Sequence, residues 1–161
     1  MSGKLFAGVL ALGLMACSRA PVKESFNPSL AASAAALTTM QAVIHFADNQ
    51  AGLSDSARTI LDDKVAVFRA NPKLRIVIVG HASQPGTQDY NLALGTQRAA
   101  AARSHLVAQG IAEDRIEVET QGEDNRLVEG PGEAADAENR RDQFQLLIDT
   151  HNDVFLASSP K

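Results

Sequence analysis

A single cysteine, Cys17, stands among 161 residues, so no disulfide within the chain is available. Tryptophan is absent and only seven residues are aromatic, which argues against recognition by stacking on bases or sugar rings. Positive charge is not in excess: 15 Lys and Arg face 19 Asp and Glu, and no basic stripe points to nucleic acid. His45, His81, His105 and His151 show no ligand spacing and the acids are scattered over turns and loops, so no metal site is expected. The acidic stretch Glu129 to Glu138 reads as solvated surface rather than a calcium loop. No cofactor is implied.

A bilayer-spanning apolar run is also missing at the N-terminus. Leu5 to Leu14 is ten residues long, half of the about 20 that a membrane helix needs. Behind Lys4, it has the length of a signal-peptide core. Leu14-Met15-Ala16-Cys17 follows directly and resembles a bacterial lipobox. Residues 1–16 are therefore expected to be a lipoprotein signal peptide, with the mature chain acylated at Cys17. Acylation would remove a thiol that an oxidising periplasm makes a liability, and two or more acyl chains give stable anchoring. The competing reading is an ordinary signal peptide with an incidental cysteine. Ser18 after the cysteine implies sorting to the outer membrane, facing the periplasm.

Residues 17–40 read as the lipidated N-terminus and a flexible linker. Pro21, Pro28 and many small residues show little aliphatic pattern. The alanine-rich stretch Leu30 to Leu37 has the composition of a transient helix. Such a linker spans about 75 Å fully stretched and about 25–30 Å as a coil.

Residues 41–150 carry a folded pattern, followed by a loose tail at 151–161. Ala42, Ile44 and Phe46 alternate as a short strand. Ser54 suits an N-cap, and Ala57, Ile60, Leu61, Val65 and Phe68 recur at helical spacing until Asn71-Pro72. Leu74 to Val79 is apolar almost throughout and reads as a central strand covered on both faces. A second helix runs from Gln88 to Gln109, with Gly110 as its C-terminal cap. Arg115 to Gln121 alternates as a third strand, Glu123 to Glu138 reads as a long loop, and Phe144 to Asp149 is the last strand. The order implies an α+β, two-layer sandwich: a four-stranded mixed sheet with helices on one face.

One constellation of residues stands out. Gly80-His81 closes the apolar run. Gly86, Tyr90-Asn91, Leu94 and Arg98-Ala99 follow, and Asn139-Arg140-Arg141 precedes the last strand. This resembles the OmpA-like (Pal-type) peptidoglycan-binding domain. The likeness is gapless from Gly80 to Ala99 and looser from Val43 to Ile148, about two-thirds of the chain.

The resemblance implies that the ligand is the peptide stem of peptidoglycan, which offers a carboxylate and an ammonium at the side-chain end of its diaminopimelate. Arg98 matches the ligand-binding arginine, and a guanidinium can hold a carboxylate with two parallel bonds. Its competing role is an ordinary surface ion pair. Asn91, two helical turns earlier on nearly the same face, either orients the stem or pins the preceding loop. Asn49, three residues after Phe46, stands where family members place another polar contact. Arg140 either reaches the ligand or braces the site against a carboxylate, while Arg141 alternates away. Asp142 replaces an aliphatic residue, where it could pair with an arginine. Ser83 replaces the family's aspartate, keeping a hydrogen-bond acceptor but no charge. Losing one charge-assisted bond costs about 1.5–3 kcal/mol, or about 10- to 100-fold in affinity, unless Asp48 or Asp89 substitutes.

His81, Ser83 and Asp89 invite a hydrolase reading, but no nucleophile-elbow pattern accompanies them, and the family histidine is structural. No catalytic residue is therefore assigned. The expected function is an outer-membrane lipoprotein that tethers that membrane to the cell wall. The rivals are an OmpA-like interaction module for Tol-like or other envelope proteins, its wall pocket degenerate, and an envelope hydrolase.

Overall fold

The computed structural model describes residues 28–147; the expected signal peptide, Cys17, the start of the linker and the tail lie outside them. Strands β1 (Ile44–His45), β2 (Arg75–His81), β3 (Ile116–Gly122) and β4 (Arg141–Leu147) form one sheet in the order β1-β4-β2-β3. β2 and β3 run parallel, and β4 is antiparallel to both β1 and β2. This is the mixed four-stranded sheet that the pattern of elements predicts.

Helices α1 (Pro28–Gln41), α2 (Asp55–Ala70) and α3 (Gln88–Ala108) share one core with it. Ile76, Ile78 and Phe144 of the sheet meet Leu61, Val65 and Phe68 of α2 and Ala99, Ala102 and Leu106 of α3. The apolar stripe of α2 faces inward, as its spacing requires. Ser54 caps α2 by accepting from the Ala57 amide at 3.2 Å. At its other end the Asn71 side-chain amide donates to the Val67 carbonyl at 2.8 Å, just before Pro72. Every residue of β2 after Arg75 is buried, in keeping with its near-continuous apolar run.

α3 approaches β2 very closely. A Cβ added at Gly80 would lie 2.0 Å from the Gly95 carbonyl oxygen, and one at Gly95 would lie 2.3 Å from Thr120 Oγ1. Two glycines facing each other let helix and strand backbones touch. That contact sets the depth of the next turn of α3, which carries Arg98.

Three expectations need correction. The linker does not extend to residue 40 as coil, because Pro28–Gln41 is helical and Met40 is buried in the core. The Glu123–Glu138 loop contains a short helix, α4 (Glu133–Asn139), with Ala135 buried; Gly130-Pro131-Gly132 hid it from periodicity. β4 begins three residues before Phe144, because Arg141 and Asp142 pair with His45 and Ile44 despite their polarity.

The reason α1 docks is Lys64 of α2. Its side chain is fully buried, and its ammonium donates to the carbonyls of Thr39, Met40 and Ala42 at 2.6, 3.0 and 2.7 Å. It also sits 4.1 Å from the centre of the Phe144 ring. Helix C-terminal carbonyls lack internal donors and favour a cation. Burial pulls the ammonium down to about 7. The three carbonyls work against that, because a neutral amine has only two hydrogens to share among them. Lys64→Met is expected to lower stability by about 1–3 kcal/mol, measured by denaturant melts, and to open the α1–α2 junction to protease.

Candidate functional site

The site grows from the end of the sheet where β1 and β2 finish and β4 begins. Arg98 is its centre and is fully buried. Its Nε donates to the Gln50 carbonyl at 2.9 Å, Nη1 to the His81 carbonyl at 2.8 Å and Nη2 to the Ala47 carbonyl at 3.3 Å. The Phe46 ring lies 5.1 Å from the guanidinium carbon. Arg98 thus staples the segment after β1 to the end of β2. Burial pulls its pKa down to about 10, while Asp142 and Asp48 oppose that. This differs from both expected roles, an open cation and a surface ion pair.

The stapled segment is a tight turn. The Gln50 amide donates to the Ala47 carbonyl at 3.2 Å, and Asn49 adopts φ +52°, a left-handed conformation that asparagine tolerates. Asn49 is exposed, and its side-chain oxygen accepts from the Tyr90 hydroxyl on α3. Tyr90, an exposed aromatic ring, is therefore part of the rim.

Across from this turn, residues 82–87 lead into α3, whose N-cap Thr87 accepts from the Tyr90 amide at 3.3 Å. Ser83 is buried here, two residues beyond the His81 carbonyl that Arg98 holds. Asn91 is buried beneath Gly86: a Cβ at Gly86, already at φ +126°, would come within 3.1 Å of its side-chain oxygen. The Asn91 amide donates to Glu123 Oε2 at 2.8 Å. That bond ties α3 to the loop after β3, not to the preceding loop that the sequence reading assigns to it. His81 is 1 % exposed and its Nε2 bonds Gln143 Oε1 at 3.0 Å. Burial and Arg141 push its pKa down.

Asn139, Arg140 and Arg141 divide three tasks. Asn139 accepts from the Leu127 and Val128 amides at 2.7 and 3.1 Å and donates to the Val128 carbonyl at 2.8 Å, shaping the loop before α4. Arg141 turns away and donates to the Asn125 carbonyl at 3.1 Å. Arg140 faces the site. It grips both oxygens of Glu133, at 2.5 and 3.3 Å, donates to the Phe46 carbonyl at 3.3 Å, and lies 3.9 Å from Asp48. The Glu133 bond holds the Arg140 pKa up and that of Glu133 down. Bracing by a carboxylate, one of the two roles read for Arg140, is what the contacts display. Glu133 was not singled out from sequence. The available signal is its spacing of seven, two helical turns before Arg140.

Arg98, Arg140 and Asn49 therefore converge on residues 46–50, with Ser83 on the facing loop and Asn91 in the first turn of α3. Asp48 is exposed at the rim, 3.9 Å from Arg140, and Asp89 is exposed in the first turn of α3. The rim carries both signs of charge, amide groups and one aromatic hydroxyl, the chemistry of a zwitterionic peptide contact. Among the described residues no group of three or more His, Cys, Asp or Glu could hold a metal ion, and no helix is long and apolar enough to cross a membrane.

Comparison with known proteins agrees with this architecture. Residues 45–140 match the OmpA family. The chain is 31 % identical over 138 residues to a peptidoglycan-associated lipoprotein of Pasteurella multocida, covering 85 % of this chain and 91 % of that protein. A protein of the same name from Pseudomonas putida is 35 % identical over 97 residues, 60 % of this chain and 58 % of its own length. The crystal structure of the peptidoglycan-associated lipoprotein from Burkholderia pseudomallei superposes with a TM-score of 0.64 at 28 % identity, covering 65 % of this chain and 89 % of that one. Matched over residues 45–140, this chain belongs to the OmpA family.

Proposed function

We propose that the protein binds the peptide stem of peptidoglycan non-covalently at this site. Acylated at Cys17, it would tether the outer membrane to the cell wall from the periplasmic side. The observation that carries the reading is the mixed-charge rim built on the stapled 46–50 turn: Arg140 pairs with Glu133 and approaches Asp48, Asn49 meets Tyr90, and Arg98 holds the turn from beneath. The likeness to peptidoglycan-associated lipoproteins over 91 % of one relative's length supports the same reading. Tethering needs no turnover, so a cell-wall zymogram is expected to show a blank lane. Many copies facing one wall act by effective concentration, so a modest single-site affinity is enough.

A second reading has its own observation. Ser83 carries no charge and Arg140 is already paired with Glu133, which suits a module that has given up the wall for an envelope protein partner, Tol-like or otherwise. Co-sedimentation with purified sacculi separates the two. The tether predicts wild-type retention that Arg140→Ala reduces. It also predicts that Ser83→Asp strengthens retention by about tenfold or more, through one added charge-assisted bond. Absence of wild-type retention favours the module.

A further inference from the structure

Asp142 is the one carboxylate among the described residues that is fully buried with neither oxygen bonded. It enters from β4, in register with Gly80 of β2 and Ile44 of β1, two residues before the core ring of Phe144. β4 side chains alternate, so Asp142 shares the helix-facing side with Phe144. The charged groups facing it can be named element by element. Arg98 of α3 is the charge that acts on it; Arg98 in turn feels Asp48 of the turn after β1, Arg140 at the end of α4 and Tyr90 at the rim. β2 contributes only Gly80, and the ammonium of Lys64 from α2 lies farther along, over Phe144.

Arg98 is thus the cation that acts on this buried carboxyl without a hydrogen bond or ion pair between them. A guanidinium has five N–H donors. Three are spent on carbonyls, which leaves one on each terminal nitrogen. If Asp142 is ionised, Arg98 is compensated from inside, and an arriving carboxylate meets a neutral pair. If Asp142 holds a proton, the positive charge of Arg98 is felt at the rim. We propose that Asp142 is a positioning residue that gates Arg98, so that the site takes up the carboxylate end of a stem peptide only while Asp142 carries a proton. This rests on the stem-peptide reading above.

The proton balance is simple. Where Asp142 already holds its proton, binding moves none. Where it has lost it, binding draws one proton from solvent, and affinity falls up to tenfold per pH unit. Burial pushes the carboxyl up to about 8, with Arg98 opposing, so the change falls between pH 7 and 9. The ammonium and carboxylate groups of the wall titrate identically for every variant, which makes the difference between variants the informative quantity.

The test titrates the protein with a soluble diaminopimelate-containing muropeptide at pH 7 and pH 9, comparing wild type with Asp142→Asn and Asp142→Val. Wild type should lose about tenfold in affinity across that range. Both variants should change less than about twofold, and wild type alone should take up a proton on binding at pH 9, read by calorimetry in two buffers. Binding at pH 7 with parallel pH profiles for all three proteins would overturn the gate and leave the stem-peptide reading intact. No binding at either pH by wild type would overturn both.

Discussion

Asp142→Val should raise the stability of the protein at pH 7 by about 1–4 kcal/mol, an unusual direction for a substitution in a buried strand. The reason is that both Asp142 oxygens are buried without a partner, between strands that valine suits well. The pH dependence makes the prediction sharper. Folding raises the Asp142 carboxyl from 3.8 to about 8, because burial removes its water and Arg98 compensates only in part. Between those values the folded state holds a proton that the unfolded chain has released. The stability contribution is therefore complete below about pH 4 and is lost as pH rises through about 8, by about 1.4 kcal/mol per unit. Lys64 acts in the opposite sense at higher pH. Its pKa falls from 10.5 to about 7 on folding, so its contribution is lost as pH falls through about 7 and complete above 10.5. The gap between wild-type and Asp142→Val unfolding free energies, from urea melts, should widen steadily from pH 5 to pH 8. Parallel curves would mean that Asp142 is ionised in the folded protein.

Gly80→Ala should have the largest destabilising effect, at about 3 kcal/mol or more. One methyl group is added, yet it would stand 2.0 Å from a backbone oxygen of Gly95 rather than against the end of a flexible side chain. Either α3 lifts from β2 or the strand bows. Both movements disturb Thr120, whose hydroxyl lies 3.3 Å from the Gly80 carbonyl and 3.2 Å from that of Leu92. Both also shift Arg98, one turn beyond Gly95, away from the Ala47, Gln50 and His81 carbonyls. The control is Gly52→Ala, where an added Cβ meets nothing within 4 Å. It should be neutral or slightly stabilising, by up to about 1 kcal/mol. Equal melting behaviour of the two variants would show that the glycine contact does not set the helix–sheet distance.

These predictions mark the boundary between what residue patterns reveal and what packing decides. β2 is readable because an unbroken β-branched run buried on both faces has few alternatives. α2 is readable because Ser54, its apolar stripe and Asn71-Pro72 agree. β4 begins on Arg141 and Asp142, which no periodicity would place in a sheet; their pairing with β1 decides it. α1 resembles a linker because its stability comes from a lysine 22 to 25 residues later, which alanine-rich composition cannot foretell. The site shows the same division. Motif spacing brings Arg98, Arg140 and Asn49 to one turn. It is silent on which donors are already spent, because Arg98 bonds backbone carbonyls and every residue type has one. The Arg140–Glu133 pair depends on a short helix hidden between glycines and acids.

The central claim is that the stem peptide seats on the 46–50 turn and the loop facing it. The most direct measurement is an NMR titration of the isotope-labelled protein with muropeptides that differ only at the third stem residue. The account predicts saturable shifts of the backbone amides of residues 47–50, of Ser83 and of Asn91, and of the Arg140 side chain, larger with diaminopimelate than with a residue lacking the terminal carboxylate. Absence of saturable shifts, or shifts confined to the opposite end of the sheet around Arg75 and Glu117, would contradict it.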